Sequence, residues 1–191
     1  ASSIPHAVGA ALAARRLGKS HRIISVFGDG AAEQGVYHES LNFAALHKLP
    51  VVLVCENNGY AVHATQSSRQ AFQLEDSATL YGIPYRRIAE GYDPKAVSEQ
   101  FDASLAICDG PVFIETLTHR HKEHVGTGDD FATGYRSRDT LEAWNTLDPL
   151  VQDPTIMKEW GAEITAEIDE AVAFAEASPM PERNALLDHV I

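Results

Sequence analysis

The stretch VFGDGAAEQG, residues 26–35, places an aspartate between two glycines at the end of an apolar run. A dinucleotide-binding loop has the pattern G-x-G-x-x-G and keeps acidic side chains away from the pyrophosphate. Asp29 would repel a bare diphosphate, but a divalent cation between the two groups would turn that repulsion into attraction. The stretch therefore predicts a turn after a buried strand, with an anion site that depends on a metal ion.

Short apolar runs alternate with amphipathic segments on both sides of this turn. The runs predict buried strands at RIISVFG (22–28), VVLVCEN (51–57) and PVFIETLTH (111–119), with a weaker candidate at YRRIA (85–89). The segments with helical spacing are residues 5–17, 35–49, 94–108, 139–147 and 155–177. This alternation predicts an α/β fold, with a mostly parallel sheet and helices on both of its faces.

A polar stretch interrupts the alternation. Residues 119–138, HRHKEHVGTGDDFATGYRSR, contain three glycines and are too long for an ordinary connection, which is typical of either a functional loop or a disordered one. We expect one domain over residues 1–150. A C-terminal helical segment, residues 151–191, is expected to pack on that same domain.

The composition limits the classes of partner and the cellular compartment. The 191 residues carry a formal net charge of −12, which argues against nucleic acid or an anionic membrane as the main partner. No window approaches the roughly 18 consecutive apolar residues of a membrane span. Cys55 and Cys108 stand singly in apolar surroundings, which favours buried thiols in a reducing, cytoplasmic location over a disulfide or zinc site.

Polar residues follow two of the predicted strands. Asp29 comes directly after the first strong run, and Asn57 and Asn58 end the second. If these strands are neighbours in a parallel sheet, the residues converge, because ligands bind beyond the carboxyl ends of such strands. A carboxylate, an amide oxygen and backbone carbonyls suit Mg²⁺ or Ca²⁺. The sequence therefore predicts a metal ion that holds a diphosphate, although Asp29 has an alternative role as a helix cap and Asn57 an alternative role in the turn.

Three motifs occur in a specific order: GDG (28–30), ENNGY (56–60) and the histidine-rich stretch THRHKEHVG (118–126). Together with IPHAVGAALAARRLG (4–18) and YRSRDTLEAWNTLDPL (135–150), they closely resemble one family. That family is the α subunit of the decarboxylating component of 2-oxo acid dehydrogenase complexes, which act on pyruvate, branched-chain 2-oxo acids or acetoin. The resemblance implies the thiamine diphosphate-binding fold, with thiamine diphosphate and Mg²⁺ as cofactors.

Site residues follow from this resemblance by motif position. It implies that Asp29, Asn58 and the backbone carbonyl of Tyr60 coordinate Mg²⁺. His124 is implied as a catalytic residue that also reaches the cofactor's phosphates. The further cofactor-binding positions that we expect are Gly28, Gly30, Ala31 and Ala61, and the loop-ordering positions are Arg120, Tyr135 and Arg136.

The reaction implied is oxidative decarboxylation of a 2-oxo acid, or cleavage of acetoin, with the acyl group passed to a lipoyl acyltransferase. In this family a β subunit supplies the glutamate that activates the cofactor, and an N-terminal region missing from this sequence supplies further contacts. We therefore expect an N-terminally truncated α subunit that is inactive alone and self-associates into a homo-oligomer. Two alternatives remain: a transketolase-like half-site enzyme, and a catalytically inert, self-associating fragment.

Three questions stay open at this point. Glu33 adds negative charge beside the predicted metal site, with an effect that the sequence does not define. His63 lies close enough to the ENNGY turn to be a candidate cofactor contact. The identity of the 2-oxo acid depends on residues of the missing region and of the other subunit.

Overall fold

The computed structural model describes residues 1–107 and 109–188, and it forms two compact units. The first unit is Ala1–Asp148, and the second begins at Pro149. In chain order the elements are α1 (Ser3–Arg16), β1 (Ile23–Gly28), α2 (Gly35–Leu46), β2 (Val51–Asn57), β3 (Tyr60–Ala61), β4 (Ala64–Thr65), α3 (Leu74–Leu80), β5 (Tyr85–Ile88), α4 (Pro94–Leu105), β6 (Val112–Leu117), α5 (Arg138–Asn145), α6 (Pro149–Gln152) and α7 (Pro154–Ala177).

Four strands form a fully parallel sheet in the order β1-β2-β6-β5, and β3 and β4 form a separate short hairpin. The four sheet strands correspond to the four predicted runs. The two central strands are apolar on both faces and almost fully buried, as expected where helices cover a parallel sheet from both sides. The predicted α/β fold is confirmed.

Two layers of side chains hold the helices on the sheet. On one face, Phe27, Leu53 and Phe113 pack in a buried cluster that includes residues of α1, α2 and α3. On the other face, a smaller cluster centred on Val54 and Ile114 packs against apolar residues of α4. Burial of this apolar surface is the main stabilising contribution to the unit.

The predicted burial of β1 is wrong on one face. Ser25 and Phe27 are buried under α1, but Ile24 and Val26, on the opposite face, are each 49% exposed. The reason is position: β1 is one of the two edge strands of the sheet, whereas α4 packs on β6 and β5, the two strands farthest from it. An apolar run predicts a strand but not its place in the sheet.

Several predicted boundaries shift. Helix α2 ends at Leu46 rather than residue 49, because Lys48 takes a left-handed backbone conformation (φ 47°) and turns the buried Leu49 towards the core. Helix α4 ends at Leu105, and its predicted end at Cys108 lies outside the described residues. Helix α3 and the β3–β4 hairpin were not predicted, since both are too short to produce a clear periodicity.

The second unit contains α6, the 24-residue α7 and a short 3₁₀ helix, Arg183–Leu187. Asp153 caps α7, with its carboxylate accepting a hydrogen bond from the Thr155 amide at 2.9 Å, and Pro154 occupies the first helical position. Among the described residues, none of the helices combines the length and apolar character needed to cross a membrane.

Candidate functional site

The carboxyl ends of β1 and β2 lie side by side. The two strands pair in parallel, and Gly28 is opposite Glu56 in the register. Asp29 and Asn58 therefore follow the carboxyl ends of two adjacent strands, at the same end of the sheet. The condition for the convergence of Asp29 and Asn58, that these two strands are neighbours, is met.

A cavity of about 320 Å³ lies at this end of the sheet. It has the size of a small-molecule site. Its lining residues are Gly28, Asp29, Gly30, Ala31, Asn58, Tyr60, Ala61, Val62 and His124. The structure thus brings together all eight residues predicted as cofactor, metal or catalytic positions, and it adds Val62. Their roles towards a ligand stay predictions.

Asp29 is the buried charge of the cavity, with 1% of its surface exposed. Its Oδ2 accepts a hydrogen bond from Nη2 of Arg69 at 2.5 Å, and the same guanidinium also contacts the Glu33 carboxylate. Gln70 donates to the backbone carbonyl of Asp29 at 2.8 Å. The buried carboxylate is therefore charge-compensated, as burial requires. Glu33, whose effect the sequence left open, is an ion-pair partner of Arg69.

The two asparagines of the ENNGY turn have different surroundings. Asn58 lines the cavity, and its Oδ1 accepts a hydrogen bond from the Tyr60 amide at 2.9 Å. Asn57 is buried, and its Oδ1 accepts from the Gly59 amide at 2.9 Å. These two bonds shape a turn in which Gly59 has a left-handed φ of 78°. Asn58 thus faces the cavity, whereas Asn57 is bonded within the turn, and the role of Asn58 as a ligand stays a prediction.

A buried glutamate supports this turn from below. Glu115, in β6, accepts a hydrogen bond from Asn57 Nδ2 at 2.6 Å and another from the Tyr85 hydroxyl. Burial, followed by this bond to a carboxylate, raises the pKa of the Tyr85 phenol. The Glu115–Asn57 pair therefore connects the central strands to the turn that presents Asn58 and Tyr60.

Ala61, which lines the cavity, lies very close to the GDG segment. A Cβ added at Gly30 would lie 2.8 Å from the Cβ of Ala61, a separation that packed side chains do not tolerate. Val62, the next residue, has a left-handed φ of 56°, which is rare for a β-branched side chain. Its carbonyl accepts a hydrogen bond from Arg120 at 3.1 Å.

Residues 119–138 contain an internal ionic cluster centred on Asp130. Its buried carboxylate accepts hydrogen bonds from Arg120 (3.0 Å), Arg136 (2.7 Å) and the Tyr135 hydroxyl. Although burial opposes ionisation, the bonds from Tyr135 and Arg136 and the two guanidinium charges lower the pKa of Asp130. Arg136 also donates to the carbonyl of Lys122 at 3.1 Å. The three residues implied as loop-ordering thus meet on one carboxylate.

The histidines of the site region separate into different environments. His124 is exposed and lines the cavity. His119 stacks on Trp144 of α5, and burial, followed by the charges of Arg136, His121 and Arg120, lowers its pKa. His63 is exposed and lies against the Tyr135 ring, 4.8 Å between ring centroids, rather than in the cavity.

The donor set at the cavity fits a hard divalent cation. It offers a carboxylate from Asp29, a carboxamide from Asn58 and a backbone carbonyl from Tyr60, all of them oxygen donors. No cluster of three or more His, Cys, Asp or Glu occurs in the part of the chain that the structure describes. Ala61 packs directly on Gly30, and a Cβ at Gly28 would meet no atom within 4 Å.

Arg69 and Glu115 are the site residues that sequence reasoning missed. Arg69 lies 40 residues from Asp29 along the chain, and Glu115 lies 58 residues from Asn57. One signal was available: an acidic residue such as Glu33 beside another buried carboxylate requires a cation nearby. Nothing in the sequence indicates which of the 15 Lys and Arg residues provides it.

Comparison with known families identifies relatives of this chain. The family described as dehydrogenase E1 component matches residues 1–184. The 2-oxoisovalerate dehydrogenase subunit alpha of Bacillus subtilis is 36% identical over 205 residues, covering 99% of this chain and 61% of that protein. The pyruvate dehydrogenase E1 component subunit alpha of Staphylococcus aureus is 35% identical, covering 90% of this chain and 47% of that protein. The 3-methyl-2-oxobutanoate dehydrogenase subunit alpha of Mycobacterium tuberculosis is 35% identical, covering 96% and 50%.

Solved structures agree on the fold. A Mycobacterium smegmatis protein assigned to the thiamin diphosphate-dependent enzymes superposes with a TM-score of 0.51 at 25% identity, covering 62% of this chain and 22% of that one. Transketolase from Campylobacter jejuni gives a TM-score of 0.55 at 21% identity, covering 59% and 19%, and this likeness concerns the fold alone. The chain spans from 47% to 61% of the length of the curated relatives above. With a family match over nearly its whole length, the chain belongs to the dehydrogenase E1 component family.

Proposed function

We propose that this chain is the α-type half of a 2-oxo acid dehydrogenase E1 component, which uses thiamine diphosphate and Mg²⁺ to decarboxylate a 2-oxo acid or cleave acetoin. The observation that carries the proposal is the cavity that gathers Asp29, Asn58, Tyr60 and His124 at one end of the sheet. The relatives named above supply the class of reaction.

Different residues of the cavity would hold the metal ion and the diphosphate. Asp29, Asn58 and the Tyr60 carbonyl would hold Mg²⁺, and the backbone of Gly28, Gly30 and Ala31 would contact the diphosphate. When bound, thiamine diphosphate supplies the electron sink that the decarboxylation needs. Ala61 and Val62 add apolar side chains to the lining of the same cavity.

His124 is the proposed catalytic side chain of this subunit. It lines the cavity from the loop of residues 119–138, whereas Asp29 and Asn58 follow strands of the sheet. An imidazole offers one ring nitrogen as a hydrogen-bond donor and the other as an acceptor when it is neutral. In that role His124 would anchor a phosphate oxygen or the substrate carboxylate.

The proposal includes two protein partners. A β subunit would contribute the glutamate that activates the cofactor, and a lipoyl acyltransferase would receive the acyl group. In this proposal the chain holds the diphosphate and Mg²⁺, while the β subunit activates the cofactor. We therefore expect no turnover of pyruvate or branched-chain 2-oxo acids by the purified chain with both cofactors. Turnover by the chain alone would contradict this division of the site.

Calorimetry tests the proposal directly. Thiamine diphosphate is titrated into the purified chain with and without Mg²⁺, and binding is expected only with the metal. Asp29→Ala and the near-isosteric Asp29→Asn should both lose it, because each removes the charged ligand. Asp102→Ala, which removes an exposed carboxylate on α4, is the matched control and should bind as the unaltered chain does.

The outcomes separate the proposal from its alternatives. Equal affinity in the Asp29 variants would contradict the metal site. Failure of the unaltered chain to bind, both alone and after co-expression with a β subunit, would favour the catalytically inert, self-associating fragment. A transketolase-like role is disfavoured, because the histidine-rich loop and the family match are those of the E1 component.

A further inference from the structure

Arg69 lies between two carboxylates beside the candidate metal site. Its Nη2 is 2.5 Å from Asp29 Oδ2, and its Nη1 contacts Glu33 Oε1. Its Nε donates to the backbone carbonyls of Ala64 and Thr65, at 3.1 and 3.2 Å. The side chain is only 11% exposed. The guanidinium is therefore held in place by the hairpin while its two remaining nitrogens bind the acidic pair.

This arrangement places a fixed cation on the carboxylate that a metal ion would need. A guanidinium and a divalent cation carry charges of the same sign and compete for the same oxygen atoms. In the structure, Oδ2 of Asp29 is already engaged by Arg69. Entry of a divalent cation therefore requires Arg69 to release Asp29 or to share it at an electrostatic cost.

Glu33 provides the second position for the guanidinium. Its Oε1 contacts Arg69 and also accepts a hydrogen bond from Gln70 Nε2 at 3.0 Å, and the same Gln70 nitrogen donates to the Asp29 carbonyl. The side chain of Glu33 is 30% exposed, against 2% for the side chain of Asp29. Glu33, the more solvated carboxylate, can still pair with Arg69 after the buried Asp29 has bound a metal ion.

We propose that Arg69 is a built-in counter-ion that holds the Asp29 carboxylate in the metal-free chain and moves onto Glu33 alone when a divalent cation binds. Arg69 is thus a positioning residue that sets the metal affinity of the site, and Glu33 makes its release possible. This inference rests on the proposed function, because it takes Asp29 to be a metal ligand.

Titration of Mn²⁺, followed by the electron paramagnetic resonance signal of the free ion, measures this competition without any turnover. The full chain is titrated in the presence of thiamine diphosphate. Arg69→Gln should bind Mn²⁺ at least about tenfold more tightly, the scale of one charge-assisted hydrogen bond. Arg16→Gln, which removes an exposed guanidinium on α1, is the charge-matched control and should bind as the unaltered chain does.

Two further variants test the exchange itself. Glu33→Asp keeps the charge but withdraws the carboxylate by one methylene, so it should weaken Mn²⁺ binding severalfold, whereas a purely long-range charge effect would leave binding unchanged. Glu33→Gln should weaken binding more in the chain that has Arg69 than in the Arg69→Gln chain. The Glu33→Asp comparison does not use the Arg69 variant. The Glu33→Gln comparison does, and circular dichroism checks that the Arg69→Gln chain is folded.

The outcomes of the proposal and of the function that it rests on are distinct. Mn²⁺ binding that is lost in Asp29→Asn but unchanged in Arg69→Gln and Glu33→Asp would overturn the counter-ion role and leave the metal site intact. Additive effects in the Glu33 and Arg69 cycle would overturn the exchange. Absence of Mn²⁺ binding in every variant, Arg69→Gln included, would overturn both the metal site and the counter-ion.

Discussion

Gly28 and Gly30 belong to the same GDG motif, but the structure gives them different surroundings. A Cβ at Gly30 would lie 2.8 Å from Ala61 Cβ, whereas a Cβ at Gly28 would meet nothing within 4 Å. The backbone of Gly28 (φ −84°, ψ 163°) is one that any residue adopts. Of the two glycines, only Gly30 is required by packing in this chain.

Replacing each glycine by alanine separates a packing requirement from a ligand requirement. Gly30→Ala should lower the free energy of unfolding by about 1–3 kcal/mol, because the new methyl group forces the GDG segment and Ala61 apart. Gly28→Ala should change it by less than about 0.5 kcal/mol. Urea unfolding followed by circular dichroism measures both, and equal stabilities would contradict the close approach at Ala61.

Glu115 shows how one buried side chain supports a site that it does not enter. Glu115→Ala should lower the free energy of unfolding by about 2–4 kcal/mol, because the Asn57 amide and the Tyr85 hydroxyl lose their buried acceptor. Glu56→Ala, at an exposed position of β2, is the control and should have little effect. A Glu115 variant as stable as the control would contradict the support role.

At the scale of elements, the loop of residues 119–138 is divided into two parts. Residues 130–136 are bonded around the buried Asp130, with Arg136 also lying over the Phe131 ring at 4.5 Å. Residues 124–129 are exposed throughout, and His124 begins that segment. The ionic cluster therefore anchors one end of the loop and leaves the segment that reaches the cavity without the same support.

The exposed part of the loop is expected to gain order from the cofactor. Hydrogen exchange of residues 121–129 should slow when thiamine diphosphate and Mg²⁺ are added, because ordering costs about 1–2 kcal/mol per residue and contacts through His124 would offset it. His124→Ala should reduce the effect, and His121→Ala, also exposed, should not. Full protection before any cofactor is added would show that packing alone orders this segment.

The pKa shifts of the loop predict how its stability changes with pH. Burial and the neighbouring charges lower the folded-state pKa of His119. Its contribution to the stability of the folded loop is therefore fully present above the unfolded-state pKa of about 6.5 and is lost as the pH falls below that value. The lowered pKa of Asp130 gives a contribution that is present above about pH 3.9 and lost as the pH falls through the folded value.

The measurement is hydrogen exchange of residues 119–138, corrected for intrinsic rates, between about pH 7.5 and pH 5.5, on either side of the usual histidine pKa. Protection should fall over this range in the unaltered chain. His119→Phe keeps an aromatic ring against Trp144 and should abolish the decrease. A decrease of the same size in the variant would assign the pH dependence to another group.

The whole molecule exposes apolar surface in both units. In the first unit, Ile24 and Val26 on the outer face of β1 are each 49% exposed. In the second, Trp160, Ile164 and Ile168 form a stripe at helical spacing on α7, each about half exposed. Contiguous exposed apolar surface in a folded protein usually marks an interaction surface.

We therefore expect self-association of the purified chain. Light scattering at micromolar concentration should give the mass of a dimer or a larger oligomer. Polar substitution of Ile24 and Val26 together should shift the population towards smaller species if the β1 face takes part, while the same change at the buried Val52 and Val54 would unfold the chain instead. A strictly monomeric unaltered chain would contradict the expectation.

The sequence by itself determined the strands of the sheet, the long helices and the turn residues Asp29 and Asn58, and the family resemblance supplied the other predicted residues of the cavity. These features depend on local properties: the apolar runs at residues 51–57 and 111–119, helical periodicity, and the turn residues of GDG and ENNGY. The parallel orientation of the strands follows from their alternation with helices, and it places Asp29 and Asn58 at the same end of the sheet. Each strand or helix pattern of this kind occupies a short stretch of the chain.

The tertiary structure alone decided that β1 and β2 are neighbours, which cation compensates Asp29 and which acid supports Asn57. The neighbours of β1 and the exposure of its outer face depend on the order of the strands and on where α4 packs, and the periodicity of the sequence specifies neither. Arg69 meets Asp29 across 40 residues, and Glu115 meets Asn57 across 58. Such pairs form because burial leaves a charge or amide without water and the fold brings a partner within reach. The short distances within these pairs result from the packing of the sheet and loops, so no short stretch of the sequence predicts them.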